Sequence, residues 1–111
     1  MSPSHTDRMT ARVDEILRQA PVVPVLAVAD IDVAVALAET LVAAGLPVLE
    51  ITLRTPVALE VIRRMRDVPG AIVGAGTVLT SEDLAAVQAA GAAFAISPGG
   101  TDALYAAARN I

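Results

Sequence analysis

Apolar, β-branched runs begin near residues 22, 47, 71 and 92, and each is followed by a stretch whose apolar residues recur at helical spacing. Intervals of 25, 24 and 21 residues leave room for a crossover helix and are far too long for a tight hairpin, so successive strands run parallel with right-handed connections. The fold class is therefore α/β. Two architectures accept this pattern, a doubly wound sheet and a (β/α)8 barrel. No Gly-x-Gly-x-x-Gly follows the first strand, which counts against a dinucleotide-binding sheet. Four βα units amount to half a barrel, and Asn110-Ile111 fall where a fifth strand is due.

Local signals set the expected boundaries. Residues 1–10 are polar and are expected to form a disordered tail, with the only histidine, His5, exposed to solvent. A short helix is expected over 11–19, with Val13, Ile16 and Leu17 on one face. The first strand spans 21–28. Asp30 or Asp32 caps a helix over 33–44 that stops at Gly45. A second strand over 47–53 leads into a helix opened by Thr55-Pro56, proline being tolerated in a first turn. Val68-Pro-Gly70 turns into a third strand over 71–74. Thr80-Ser-Glu-Asp83 resembles a capping box and starts a helix ending at Gly91. A fourth strand covers 92–96, and a last helix 101–109. Ala43-Ala-Gly45 before the second strand is echoed by Ala89-Ala-Gly91 before the fourth.

Composition removes several classes of function. A net charge of -4 with no basic patch argues against nucleic acid. Without cysteine there is neither a disulfide framework nor a thiolate site. The longest apolar stretches are broken by Asp30, Asp32, Pro47 or Glu50, short of the ~18–20 residues a membrane span needs. The N-terminus lacks a secretion signal, so a cytoplasmic protein is expected. Hydrophobic residues make up 55% of the chain, more than a lone small domain readily covers. Lysine is absent altogether, leaving eight arginines as the basic side chains.

Residues 48–55 read Val-Leu-Glu-Ile-Thr-Leu-Arg-Thr and put two charges, Glu50 and Arg54, at the end of an apolar run. Burying either charge is costly unless it is paired, whereas the C-terminal end of a parallel strand is where α/β proteins build sites. Two further strand ends carry Gly74-Ala-Gly-Thr77 and Ser97-Pro-Gly-Gly100, and a barrel would gather all three at one mouth. Glycine lets a substrate approach the backbone, arginine can grip a carboxylate with two hydrogen bonds, and a glutamate against an apolar wall can serve as a general acid/base. The alternative is a plain ion pair between Glu50 and Arg54 with ordinary glycine turns. Thr52, alternating with Glu50, is expected to contribute a supporting hydrogen bond at most.

Val22-Val-Pro-Val25, Leu49-Glu-Ile-Thr-Leu-Arg-Thr-Pro56, Ile72-Val-Gly-Ala-Gly-Thr-Val78 and Phe94-Ala-Ile-Ser-Pro-Gly99 resemble the 2-keto-3-deoxy-6-phosphogluconate (KDPG) and 4-hydroxy-2-oxoglutarate (KHG) aldolases. The resemblance runs from about residue 12 to residue 111 and implies that 11–111 form the N-terminal half of a TIM (β/α)8 barrel. It further implies a class I aldol cleavage giving pyruvate and an aldehyde, with a small 2-oxo acid or phosphosugar as substrate. No metal or organic cofactor is implied, and the family is usually a homotrimer. Carried over by motif, Glu50 resembles the catalytic acid/base. Arg54 and Thr77 resemble the groups that hold the pyruvyl carboxylate, and Pro98 a wall of the pyruvyl pocket. The family's Schiff-base lysine lies on a sixth strand, and its phosphate loops follow the seventh and eighth. Without a lysine these 111 residues cannot form the imine that acidifies the pyruvyl carbon. A non-catalytic half-barrel that self-associates or binds an oxoacid is the alternative expectation. A phosphosugar epimerase or isomerase using Glu50 as base is a third.

Overall fold

The computed structural model describes residues 2–109. Its elements are α1 (His5–Leu17), β1 (Val25–Leu26), a 3-10 turn (Ile31–Val33), α2 (Ala34–Ala43), β2 (Val48–Thr52), α3 (Ala58–Met65), β3 (Ile72–Gly76), α4 (Ser81–Ala89) and α5 (Asp102–Arg109). The named strands form one parallel sheet in the order β1-β2-β3, with Val25 opposite Glu50 and Glu50 opposite Gly74. The alternation expected from the sequence is therefore the architecture observed.

Two strands are slighter than expected. Of 21–28 only Val25–Leu26 is strand; Pro21 and Pro24 have no N–H to give a ladder, although the Pro24 carbonyl still accepts from the Glu50 N–H at 3.0 Å. The fourth run joins the sheet through a single parallel bridge, Ala75 opposite Ala95. Its backbone is nonetheless tied along β3: Ala93 N–H donates to Val73 O at 2.7 Å, Ile96 N–H to Ala75 O at 2.8 Å, and Ala75 N–H to Phe94 O at 3.0 Å. Conversely, β3 continues to Gly76, two residues past the expected end.

Helix boundaries follow their caps. The side chain of Asp30 accepts from Asp32 N–H and opens the 3-10 turn before α2. Thr80 accepts from Asp83 N–H and opens α4. The first helix departs from expectation, since residues 5–10, assigned above to a tail, are its first turns. Ser4 and Asp7 form a reciprocal capping box, with Asp7 N–H donating to Ser4 Oγ and Ser4 N–H to the Asp7 carboxylate.

Helices α2 and α3 pack on one face of the sheet. Leu49, Ile51, Val73 and Ala75 face them there, meeting Ala34, Ala38, Val61, Ile62 and Met65 in one core. The other face carries Val25, Glu50, Thr52, Gly74 and Gly76, because paired residues in a parallel ladder share a side and alternate along each strand. This second face carries Glu50, one of the two charges noted in the second strand's apolar run.

Candidate active site

Glu50 is the central residue of β2. It is 8% exposed and Thr52, on the same face, 6%. Space for so large a polar side chain comes from β3. A Cβ built on Gly76 would overlap the Glu50 carboxylate, lying 2.9 Å from Cδ, so the carboxyl group rests directly on the Gly76 backbone. Gly74 and Gly76 are thus both strand residues with their open faces occupied, where the sequence reading ends the strand at Gly74 and leaves the glycines either as room for a substrate or as ordinary turns.

The Glu50 carboxylate makes no hydrogen bond or ion pair among the described residues. Since no wholly buried side-chain oxygen there is left unsatisfied, its residual exposure lies at the carboxylate itself. Burial raises its pKa above the ordinary glutamate value by penalising the charged form. The result is a carboxyl group that is desolvated, reachable from one side, and more readily protonated than a surface glutamate.

Arg54 lies two residues beyond β2, exposed, and forms no ion pair among the described residues. The ion-pair alternative for Glu50 and Arg54 is therefore not realised. The loop bearing Arg54 is fixed from both ends: Thr52 Oγ1 donates to Leu26 O at 3.3 Å and Thr55 Oγ1 to Val28 O at 2.9 Å. Both bonds tie the exit of β2 to the exit of β1. Thr52 thus plays the supporting part expected, and Thr55 shares it unforeseen; its position after the strand gave no signal of a partner 27 residues away.

Thr77 follows β3 directly and has φ 60°, a left-handed backbone otherwise confined to glycine among the described residues. For a β-branched residue that conformation is strained, and strain of this kind collects at functional sites. Val78 N–H donates to Ile96 O at 3.1 Å, so the turn carrying Thr77 is fastened to the fourth run. Pro98 sits exposed in the next bend, which Ser97 closes by donating its hydroxyl to Gly99 O at 2.8 Å. Arg54, Thr77 and Pro98 thus follow three successive runs of one parallel sheet at their C-terminal ends, the edge toward which the Glu50 carboxyl leans. A cavity of about 330 Å³ is lined by Arg12 and Glu15 of α1 and by Gln19 just beyond it, with Arg66 and the start of β3, toward the opposite end of the sheet.

Comparison with known proteins places this geometry in context. The family model described as KDPG and KHG aldolase matches residues 13–111. The chain is 58% identical over 87 residues to the 2-dehydro-3-deoxy-phosphogluconate aldolase of Zymomonas mobilis, covering 78% of this chain and 42% of that protein. It is 54% identical over 96 residues to the KHG/KDPG aldolase of Escherichia coli K12, covering 86% and 45%. Among solved structures, the KDPG aldolase of Z. mobilis with 3-phosphoglycerate superposes with a TM-score of 0.84 at 55% identity, over 86% of this chain and 46% of the other. The KDPG aldolase of Legionella pneumophila, with pyruvate captured as a covalent carbinolamine, gives 0.81 at 43% identity, over 86% and 47%. The chain spans less than half the length of each of these relatives.

Proposed function

The chain belongs to the KDPG and KHG aldolase family, and on that premise we propose that it supplies the acid/base and carboxylate-binding half of a class I aldolase site. The family is one of carbon–carbon lyases, and the proposed substrate is a 2-oxo acid of the KDPG or 4-hydroxy-2-oxoglutarate type. The observation that carries the proposal is the Glu50 carboxyl group, desolvated on Gly76 and free of Arg54.

In the proposed reaction an amine condenses with the substrate C2 ketone, with loss of water, and Glu50 moves protons to and from the departing oxygen. Cleavage then breaks C3–C4 as the C4 hydroxyl gives up its proton. The bonding pair flows into the iminium, leaving an enamine and releasing the aldehyde. Protonation of the enamine carbon and hydrolysis yield pyruvate. A glutamate whose burial raises its pKa above the ordinary value holds its proton more readily than a surface glutamate, which suits a group that gives and takes protons in these steps. Arg54 has its guanidinium uncommitted and would clamp the C1 carboxylate together with Thr77, while Pro98 would wall the methylene side. No lysine occurs in residues 1–111, so the Schiff-base lysine is proposed to lie outside them, on the sixth strand by the family resemblance. The working assembly is proposed to be a homo-oligomer, a trimer by the same resemblance, acting in the cytoplasm.

The test is kinetic, in a barrel completed from the genomic reading frame or by grafting a relative's remaining strands after Ile111. Glu50→Gln should lower kcat by about 10²–10⁴-fold, with the imine still able to form, more slowly, on the intact lysine. Arg54→Lys loses the two-pronged grip and should raise KM with little loss of stability. An unchanged kcat in folded Glu50→Gln would remove Glu50 from the chemistry.

A further inference from the structure

Two glycines on the site face of β3 are each filled by a side chain from a neighbouring run, from opposite flanks. Over Gly76 lies the carboxyl group of Glu50, reaching across from β2. Over Gly74 lies the ring of Phe94, reaching across from the fourth run; a Cβ built on Gly74 would overlap three of its ring carbons. Gly74 is also the register partner of Glu50. The ring therefore stands beside the stem of the Glu50 side chain and occupies the space below its carboxyl group. Any side chain at position 76 would expel the carboxyl group, and an empty place over Gly74 would admit water to its stem.

We propose that Gly76 and Phe94 are positioning residues for Glu50: Gly76 provides the seat of the carboxyl group, and Phe94 closes the gap through which it would otherwise be hydrated. The proposal rests on the acid/base reading of Glu50 for its importance, but its geometry is testable without any turnover. The groups that the sheet turns toward Glu50 are Val25 from β1, Gly74 and Gly76 from β3 and Phe94 from the fourth run, none of them titratable. Arg54, on its own chain segment, forms no ion pair among the described residues. Removing the ring or adding a methyl group at position 76 therefore changes hydration and position without deleting a charged partner.

The experiment is carbon-detected NMR titration of the Glu50 side-chain carboxyl in the 111-residue chain. Phe94→Ala should lower its midpoint toward that of an ordinary glutamate, and Phe94→Leu, which restores apolar cover, should recover most of the difference. Gly76→Ala should shift the midpoint the same way and broaden or move the Glu50 γ-methylene resonances. An unmoved midpoint in folded Phe94→Ala overturns the proposal. Should the variants fail to fold, the unaltered chain decides: nuclear Overhauser contacts from the Phe94 ring to Gly74 Hα and to the Glu50 methylenes are expected, and their absence overturns it equally. In the completed barrel the two readings separate. A seat that titrates as described, with Glu50→Gln kinetically silent, refutes the acid/base reading and leaves the seat standing. A kinetically essential Glu50 whose titration ignores Phe94 refutes the seat alone.

Discussion

At the scale of single residues, the chemistry of the site reduces to one carboxyl group whose surroundings favour its neutral form. That preference has a consequence for stability. The folded state holds the Glu50 proton to higher pH than the unfolded chain does, so between the ordinary glutamate value and the raised one the native state binds more protons. Stability contributed by Glu50 is therefore greatest at low pH and falls as pH rises through that window, opposite to a salt-bridged carboxylate. Replacing Glu50 by glutamine should flatten this part of the pH–stability curve and raise the melting temperature at pH 7 more than at pH 4, as differential scanning calorimetry would measure. A larger gain at pH 4 would mean that the carboxylate is stabilised by an unrecognised partner. The sequence already displayed Glu50 and Arg54, because two charges stand out in an apolar run. It hid their surroundings: the expected strand stops at Gly74, whereas β3 runs on through Gly76 and both glycines are filled from its flanks. A glycine that makes room and a glycine that bends the chain look alike until the neighbouring strands are placed.

At the scale of elements, the echo of Ala-Ala-Gly before the second and fourth strands proves to be one device used twice. After α2, Gly45 has φ 87°, its N–H donates to Val42 O, and Leu46 N–H reaches back to Leu41 O at 2.9 Å. After α4, Gly91 has φ 94°, its N–H donates to Gln88 O, and Ala92 N–H reaches Val87 O at 3.0 Å. Both are Schellman closures, which satisfy the last carbonyls and aim the chain into the next strand. Their surroundings differ. A Cβ on Gly45 would meet nothing within 4 Å, whereas one on Gly91 would overlap the side chain of Arg66, which also donates to Ala90 O at 3.0 Å. Gly45→Ala should cost about 1–2 kcal/mol, the left-handed penalty alone, and Gly91→Ala more, since Arg66 must also give way. Urea denaturation of the two variants would check the order; equal costs would mean that Arg66 moves aside freely. Boundaries set by such closures were legible in the sequence. The start of α1 was not, although Ser4 and Asp7 spell its cap, because its first two turns are largely polar and exposed, and Met9 alone makes no apolar period to detect. The fourth run was legible as a strand from its composition; its bonding to β3 alone explains why it is so slight.

At the scale of the whole molecule, the sheet ends in two open edges among the described residues: β1 pairs only with β2, and the fourth run only with β3. Near those edges Val25 is 61% exposed and Ile96 40%. Unpaired parallel edges flanked by apolar side chains favour association with another sheet. The isolated 111-residue chain should therefore form dimers or larger species at micromolar concentration, and light scattering showing a cooperative, folded monomer would contradict this. With no lysine to condense with a ketone, the same chain should give no borohydride-trapped pyruvyl adduct by mass spectrometry once the terminal amine is excluded by peptide mapping. The strand order has one more consequence, in time rather than in space. Val25 pairs with Glu50, Val48 with Ile72, and Ala75 with Ala95, so each strand after the first finds a neighbour in the strand synthesised just before it. Such pairing asks for only short loops to be closed at each step. On a ribosome, the glutamate-bearing strand has its first partner already in place when it emerges, and the seat for its carboxyl group arrives one unit later.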